Sequence, residues 1–145
     1  MSLWVLDTDH LSLFQRGHPL VYKRIKETKS ENIATTIVTV EEQMRGWLNA
    51  IKKASRSETR ILAYQGLSGA IKYFTNTKIL DFTQAADNCY QQLIEQRICI
   101  GSQDLRIASI VMSVEGILIT RNRRNFERVP GLIIEDWTID EGKFP

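Results

Sequence analysis

Four short apolar runs, too brief for helices and not broken by alternate polar residues, constrain this chain more than any other feature. They are Leu3–Leu6, the "NIATT" segment, "ILIT" ending at Thr120, and "LIIEDW" ending at Trp137. Such runs suit strands buried on both faces of a parallel sheet. Between them lie long stretches with apolar residues at helical spacing, so strands alternate with helices. That order implies an α/β fold, a three-layer sandwich with a short central parallel sheet flanked by helices. The first strand is expected at the centre.

The helical segments have readable ends. "HLSLFQRG" predicts a turn or two of helix stopped by Gly17, and Pro19 fits the first position of a second helix. From Ile37 onward Val40, Met44, Trp47, Leu48 and Ile51 form one stripe, and Ile61, Tyr64, Leu67, Ile71 and Phe74 form another, so an antiparallel helix pair is expected. "KILDF" reads as a brief strand, and Thr83 as the cap of a helix bearing Ala86, Cys89, Tyr90, Leu93 and Ile94. The helix from about Gln103 to Val114 is apolar nearly all round and is expected to be buried, with Gly116 ending it. With 145 residues the chain fits one domain, here residues 1–140, followed by a loose tail over 141–145.

Composition excludes few classes of function. Hydrophobic residues make up 43% and charged residues 25%, and the net charge is +2, so no bulk excess announces a nucleic-acid binder. The positive charge is clustered, however, at Lys52, Lys53, Arg56 and Arg60 and again at Arg121, Arg123, Arg124 and Arg128. Two cysteines, Cys89 and Cys99, make no disulfide framework, and no run is long enough to span a membrane; a cytoplasmic protein is expected. The G-x-S-x-G, P-loop and G-x-G-x-x-G patterns are all absent. His10 and His18 have no Ser or Cys partner in view and read as non-catalytic.

The informative polar residues stand where strands end. The first strand runs into Asp7, Thr8 and Asp9, "ILIT" runs into Thr120, Arg121 and Asn122, and Asp104 opens the buried helix. In an open parallel sheet the carboxyl ends of the strands are where ligands gather. Asp7 and Asp104 in one small space would repel, and a hard divalent cation such as Mg²⁺ or Mn²⁺ would remove the conflict. Each acid also has a local explanation. Asp9 fits a cap for a helix starting at His10, Asp104 fits a first-turn acid, and Thr39-Val-Glu-Glu42 fits a capping box that leaves Glu42 no further task.

Four segments together resemble the PIN-domain ribonucleases and, among them, the VapC-type toxins of toxin–antitoxin pairs. They are "WVLDTDH", "TTIVTVEEQMRGW", "IGSQDLRIAS" and "LITRNRRNFERVPGLIIEDW", in the family's order and spacing. The resemblance implies an endoribonuclease that cleaves RNA phosphodiesters with metal-activated water. It assigns Asp7, Glu42 and Asp104 to a site for one or two Mg²⁺ or Mn²⁺ ions and places Asn122 where many relatives carry a fourth acid. Thr8, Ser102 and Thr120 would support the ligands, and Arg121, Arg123 and Arg124 would meet RNA phosphates. Implied partners are an RNA substrate, a small VapB-like antitoxin and a second copy of the chain. The stripes with Trp47, Tyr64 and Phe74 fit a shared apolar surface and fit core packing equally well. Asn122 leaves one competing reading, an inactive PIN-like module that binds RNA or protein. A receiver-type phosphoacceptor domain shares strand-end acids but expects a Lys-Pro pair that this chain lacks.

Overall fold

A computed structural model describes residues 2–140, and the expected tail over 141–145 lies outside them. The apolar runs form strands β1 (Trp4–Leu6), β2 (Ile33–Thr36), β3 (Ile79–Leu80), β4 (Ile117–Ile119) and β5 (Ile133–Glu135). They pair in the order β3-β2-β1-β4-β5, every pair parallel, with Trp4 opposite both Ile33 and Ile117. β1 is therefore central, and the chain builds outward on one side of it and then on the other. The reversal opens a crevice beyond the carboxyl ends of β1 and β4.

The helices are α1 (Thr8–Gln15), α2 (Pro19–Glu27), α3 (Ile37–Lys53), α4 (Ser57–Thr75), α5 (Gln84–Glu95), α6 (Ser102–Ser113) and the short α7 (Arg123–Phe126). Successive strand residues point to opposite faces, which divides the interior in two. Val5 and Leu118 face a core with Leu93, Ala108, Ile110, Val111 and Phe126. Leu6 and Ile119 face the other, with Leu11, Val21, Phe74 and Trp137. Helices α5 and α6 close one layer, and α1, α2 and α4 close the other.

Several local expectations change in the structure. Asp7, not Asp9, caps α1, and Thr36, not Thr39, caps α3. Helix α6 ends at Ser113, and Glu115 takes the left-handed turn after it (φ 54°). Gly116 serves packing instead: a Cβ there would meet the Leu3 carbonyl at 3.2 Å and Val5 Cγ2 at 3.3 Å, so a larger residue would push the entry to β4 a few tenths of an ångström away from β1. The "shared surface" residues separate. Phe74 is core, while Tyr64 is exposed, as are Leu48, Ile61 and Leu62. The Trp47 ring lies against Gly66, where a Cβ would come within 2.2 Å of it.

Leu118 is fully buried on the central strands, and its removal leaves a cavity that rigid neighbours on β1 and α6 cannot fill. Leu118→Ala should lower the unfolding free energy by about 2–5 kcal/mol in urea titrations. A loss near zero would mean that the sheet does not form this core.

Candidate metal centre

The carboxyl end of β1 delivers Asp7 while the backbone is still paired, its N–H bonded to the Ile119 carbonyl at 3.1 Å. The chain turns into α1 here, and Asp7 Oδ1 accepts the His10 N–H at 2.7 Å. The carboxylate is almost wholly buried. Asp9 falls in the first turn of α1, where Arg121 grips it with two bonds, Nε to Oδ2 at 2.6 Å and Nη2 to Oδ1 at 3.1 Å.

Glu42 reaches the same place from α3. Because Thr36 caps that helix by accepting the Thr39 N–H at 3.1 Å, Glu42 lies beyond the first turn, too far along to bond back to the cap. Its Oε1 instead accepts the Thr8 hydroxyl at 2.7 Å. Thr8 Oγ1 also lies 3.0 Å from Thr39 Oγ1, which is 3.4 Å from Thr36 Oγ1. The hydroxyls of three threonines thus run from the cap of α3 to the Glu42 carboxylate.

Asp104 arrives on the first turn of α6, half-buried. Burial raises its pKa above the usual carboxylate range and the Asp7 charge adds to the rise, while a hydrogen bond with Asn125 opposes it. Asn125 had no assigned role from sequence; here it steadies Asp104. Asn122 caps α7, its Oδ1 accepting the Asn125 N–H at 3.4 Å and its own N–H donating to Thr120 Oγ1 at 3.0 Å. Thr120 is buried, its N–H bonded to the Glu135 carbonyl at 2.8 Å.

Asp7, Glu42 and Asp104 line one cavity of about 500 Å³ together with Thr8, Asp9, Arg121 and Asn122, above a floor of Ile107 and Phe126. Ser102 is not brought in; it sits exposed at the first position of α6. Arg124 is exposed, Arg123 is partly covered, and Arg128 is turned away to bond the Cys99 carbonyl at 2.9 Å.

The cavity's donors are carboxylate, hydroxyl and amide oxygens, the set that suits a hard cation retaining part of its water. Among the described residues Asp7, Asp9 and His10 also place one donor atom each within 4.8 Å of one another. That tighter group is the poorer candidate: Arg121 already neutralises Asp9, and His10 Nε2 is occupied by the Trp137 N–H at 3.2 Å. His10 was overlooked as a site neighbour in the sequence, where its closeness to Asp7 was the one available signal.

The raised Asp104 pKa has a defined sign for stability. The folded state holds this proton more tightly than the unfolded chain, so stability is lost as pH rises through the raised value. A first-turn acid ordinarily gains from the helix dipole, and the direction of the shift means that burial and Asp7 outweigh it here. In EDTA, Asp104→Asn should melt above the wild type near neutral pH, with the gap closing as pH falls toward about 4, the ordinary carboxylate range. A wild type that is the more stable at neutral pH would contradict this.

No protein-family model matches the chain. It is 28% identical over 141 residues to the ribonuclease VapC2 of Rickettsia felis, covering 93% of this chain and 98% of that one. It is 26% identical over 141 residues to the tRNA(fMet)-specific endonuclease VapC of Salmonella typhimurium, covering 94% and 99%. Among solved structures, the DNA-bound VapBC of Salmonella typhimurium superimposes with a TM-score of 0.76 at 22% identity, over 94% of this chain and 99% of that one. VapBC2 of Rickettsia felis, bound to a DNA fragment from its promoter, gives 0.69 at 25% identity, over 93% and 98%. The resemblance first seen in four segments therefore extends over nearly the whole length, in sequence to the VapC ribonucleases and in fold to the VapBC structures.

Proposed function

We propose that this chain is a divalent-metal-dependent endoribonuclease, the toxin of a toxin–antitoxin pair, carried by one PIN-like domain over residues 1–140. The observation that carries the reading is the meeting of Asp7, Glu42 and Asp104, from three separate elements, in one cavity at the sheet's switch point. Relatives named as ribonucleases and neighbours solved as toxin–antitoxin complexes support it. Among the described residues no helix is long and apolar enough to cross a membrane, in keeping with the proposed cytoplasmic setting.

In this reading Asp7, Glu42 and Asp104 hold Mg²⁺ or Mn²⁺. The bound cation supplies the charge that eases deprotonation of the attacking water and stabilises the negative charge growing on the phosphate. Thr8 holds the Glu42 carboxylate in place through its hydroxyl, leaving the other oxygen for an ion or water. Asn122, neutral at the exit of β4, orients by hydrogen bonding and adds no fourth charge, which favours one tightly held ion over two. Arg121 offsets Asp9 at the rim, and Arg123 and Arg124 beside it meet the RNA backbone, whose phosphates the acids would otherwise repel. A VapB-like antitoxin would cover the cavity, and the exposed apolar residues of α3 and α4 are where a second copy would pair.

Purified protein should cut RNA in Mg²⁺ or Mn²⁺, stop in EDTA, and recover when the ion is restored. Asp7→Asn should reduce the rate at least about a hundredfold, since even partners of metal ligands are worth 10–100-fold. Sequencing of RNA ends reports the target in the same assay. RNA binding without cleavage in either metal would favour the inactive-module reading, and unchanged turnover in Asp7→Asn would remove the mechanism.

A further inference from the structure

His10 is fully buried. Its Nε2 accepts the Trp137 N–H at 3.2 Å. A ring nitrogen that accepts carries no proton, so the neutral imidazole must hold its proton on Nδ1. Nδ1 lies 3.3 Å from Asp7 Oδ1, a polar contact that falls short of hydrogen-bond geometry, and Nδ1 has no hydrogen-bond partner. The alternative, a doubly protonated ring spanning two acids, fails on the other side. Asp136 Oδ1 is 3.6 Å from Nε2, too far for a hydrogen bond. It is already satisfied by the Thr138 N–H at 2.8 Å and the Thr138 hydroxyl at 2.5 Å.

One residue thus places two nitrogens against a single oxygen of Asp7, the backbone N–H hydrogen-bonded at 2.7 Å and Nδ1 in looser polar contact at 3.3 Å. The bond and the contact fall on the same oxygen, so they act together on the orientation of the carboxylate. The imidazole is anchored in turn. Trp137 is buried, its indole N–H bonded to Glu135 Oε1 at 3.1 Å and its ring covered by the Arg24 guanidinium at 5.1 Å. The segment leaving β5 is thereby tied through His10 to the acid leaving β1.

We propose that His10 is a positioning residue: from behind, through its Nδ1–H, it sets the orientation in which Asp7 meets a divalent cation. This rests on the metal-centre reading above. His10 is not a ligand in it, because Nε2 is taken by the Trp137 N–H and Nδ1 faces Asp7.

Two substitutions separate its two ring contacts, because the Asn amide falls near the Nδ1 position and the Gln amide near Nε2. His10→Asn retains a donor for Asp7, and His10→Gln retains an acceptor for Trp137. With Mn²⁺ binding followed by electron paramagnetic resonance, His10→Asn should stay within about threefold of the wild type. His10→Gln should bind about 10–100-fold more weakly, the usual effect of losing a ligand's supporting partner. Melting temperature is followed alongside. Equal Mn²⁺ affinity in wild type and His10→Gln, or affinity losses that merely track melting temperature in both variants, would overturn the inference. Should the variants not fold, nitrogen-15 spectra of the wild-type imidazole decide: a proton on Nδ1 supports it, and a proton on Nε2 or a doubly protonated ring overturns it. A wild type that takes up no Mn²⁺ overturns the metal-centre reading itself, an outcome distinct from Mn²⁺ uptake that His10→Gln leaves unaffected.

Discussion

The topology forces carboxylates that repel each other into one partly dehydrated place, and most of the local structure around them is arranged to hold them there. Asp7 cannot retreat, because its backbone is still paired to β4 and its side chain caps α1. Asp104 is fixed to the first turn of α6, a helix whose middle, from Ile107 to Val111, is buried. Its pKa is raised, by burial first and by the Asp7 charge as a smaller cause. A protein gains nothing in stability from such an arrangement, so a doubly charged ion that lets these groups coexist explains it best.

The groups that hold the acids come from several parts of the chain. The threonine hydroxyls of α1 and α3 restrain Glu42, Asn125 restrains Asp104, and His10 lies behind Asp7. Arg121 shows the same economy: paired with Asp9, it removes one acid from the competition for a cation.

Much of this was legible from the amino acids. Short apolar runs ending in Asp7 and Thr120 carried the parallel sheet and its central strand, and strand-end position singled out Asp7 and Asp104. Glu42 was harder, because Thr36 and Thr39 can both cap a helix and the Thr39–Glu42 spacing imitates a capping box. The choice is made by where β2 stops pairing, at Thr36 opposite Leu80, which is a tertiary fact. Only family resemblance placed Glu42 at the site. His10 depends on a backbone N–H 127 residues away, a donor every residue but proline carries and so no sequence signal. Helix α7 spans four residues, too few for any periodicity to show.

The central claim is a coupling between two charges, and a double-mutant cycle measures it directly. Asp7→Asn, Asp104→Asn and the double variant are compared with the wild type by chemical unfolding, once in EDTA and once in Mn²⁺. Asn preserves the cap at position 7, so the cycle reports charge. The account predicts that the two acids destabilise each other without metal and that the coupling turns favourable when Mn²⁺ is present. No coupling in either condition would contradict it.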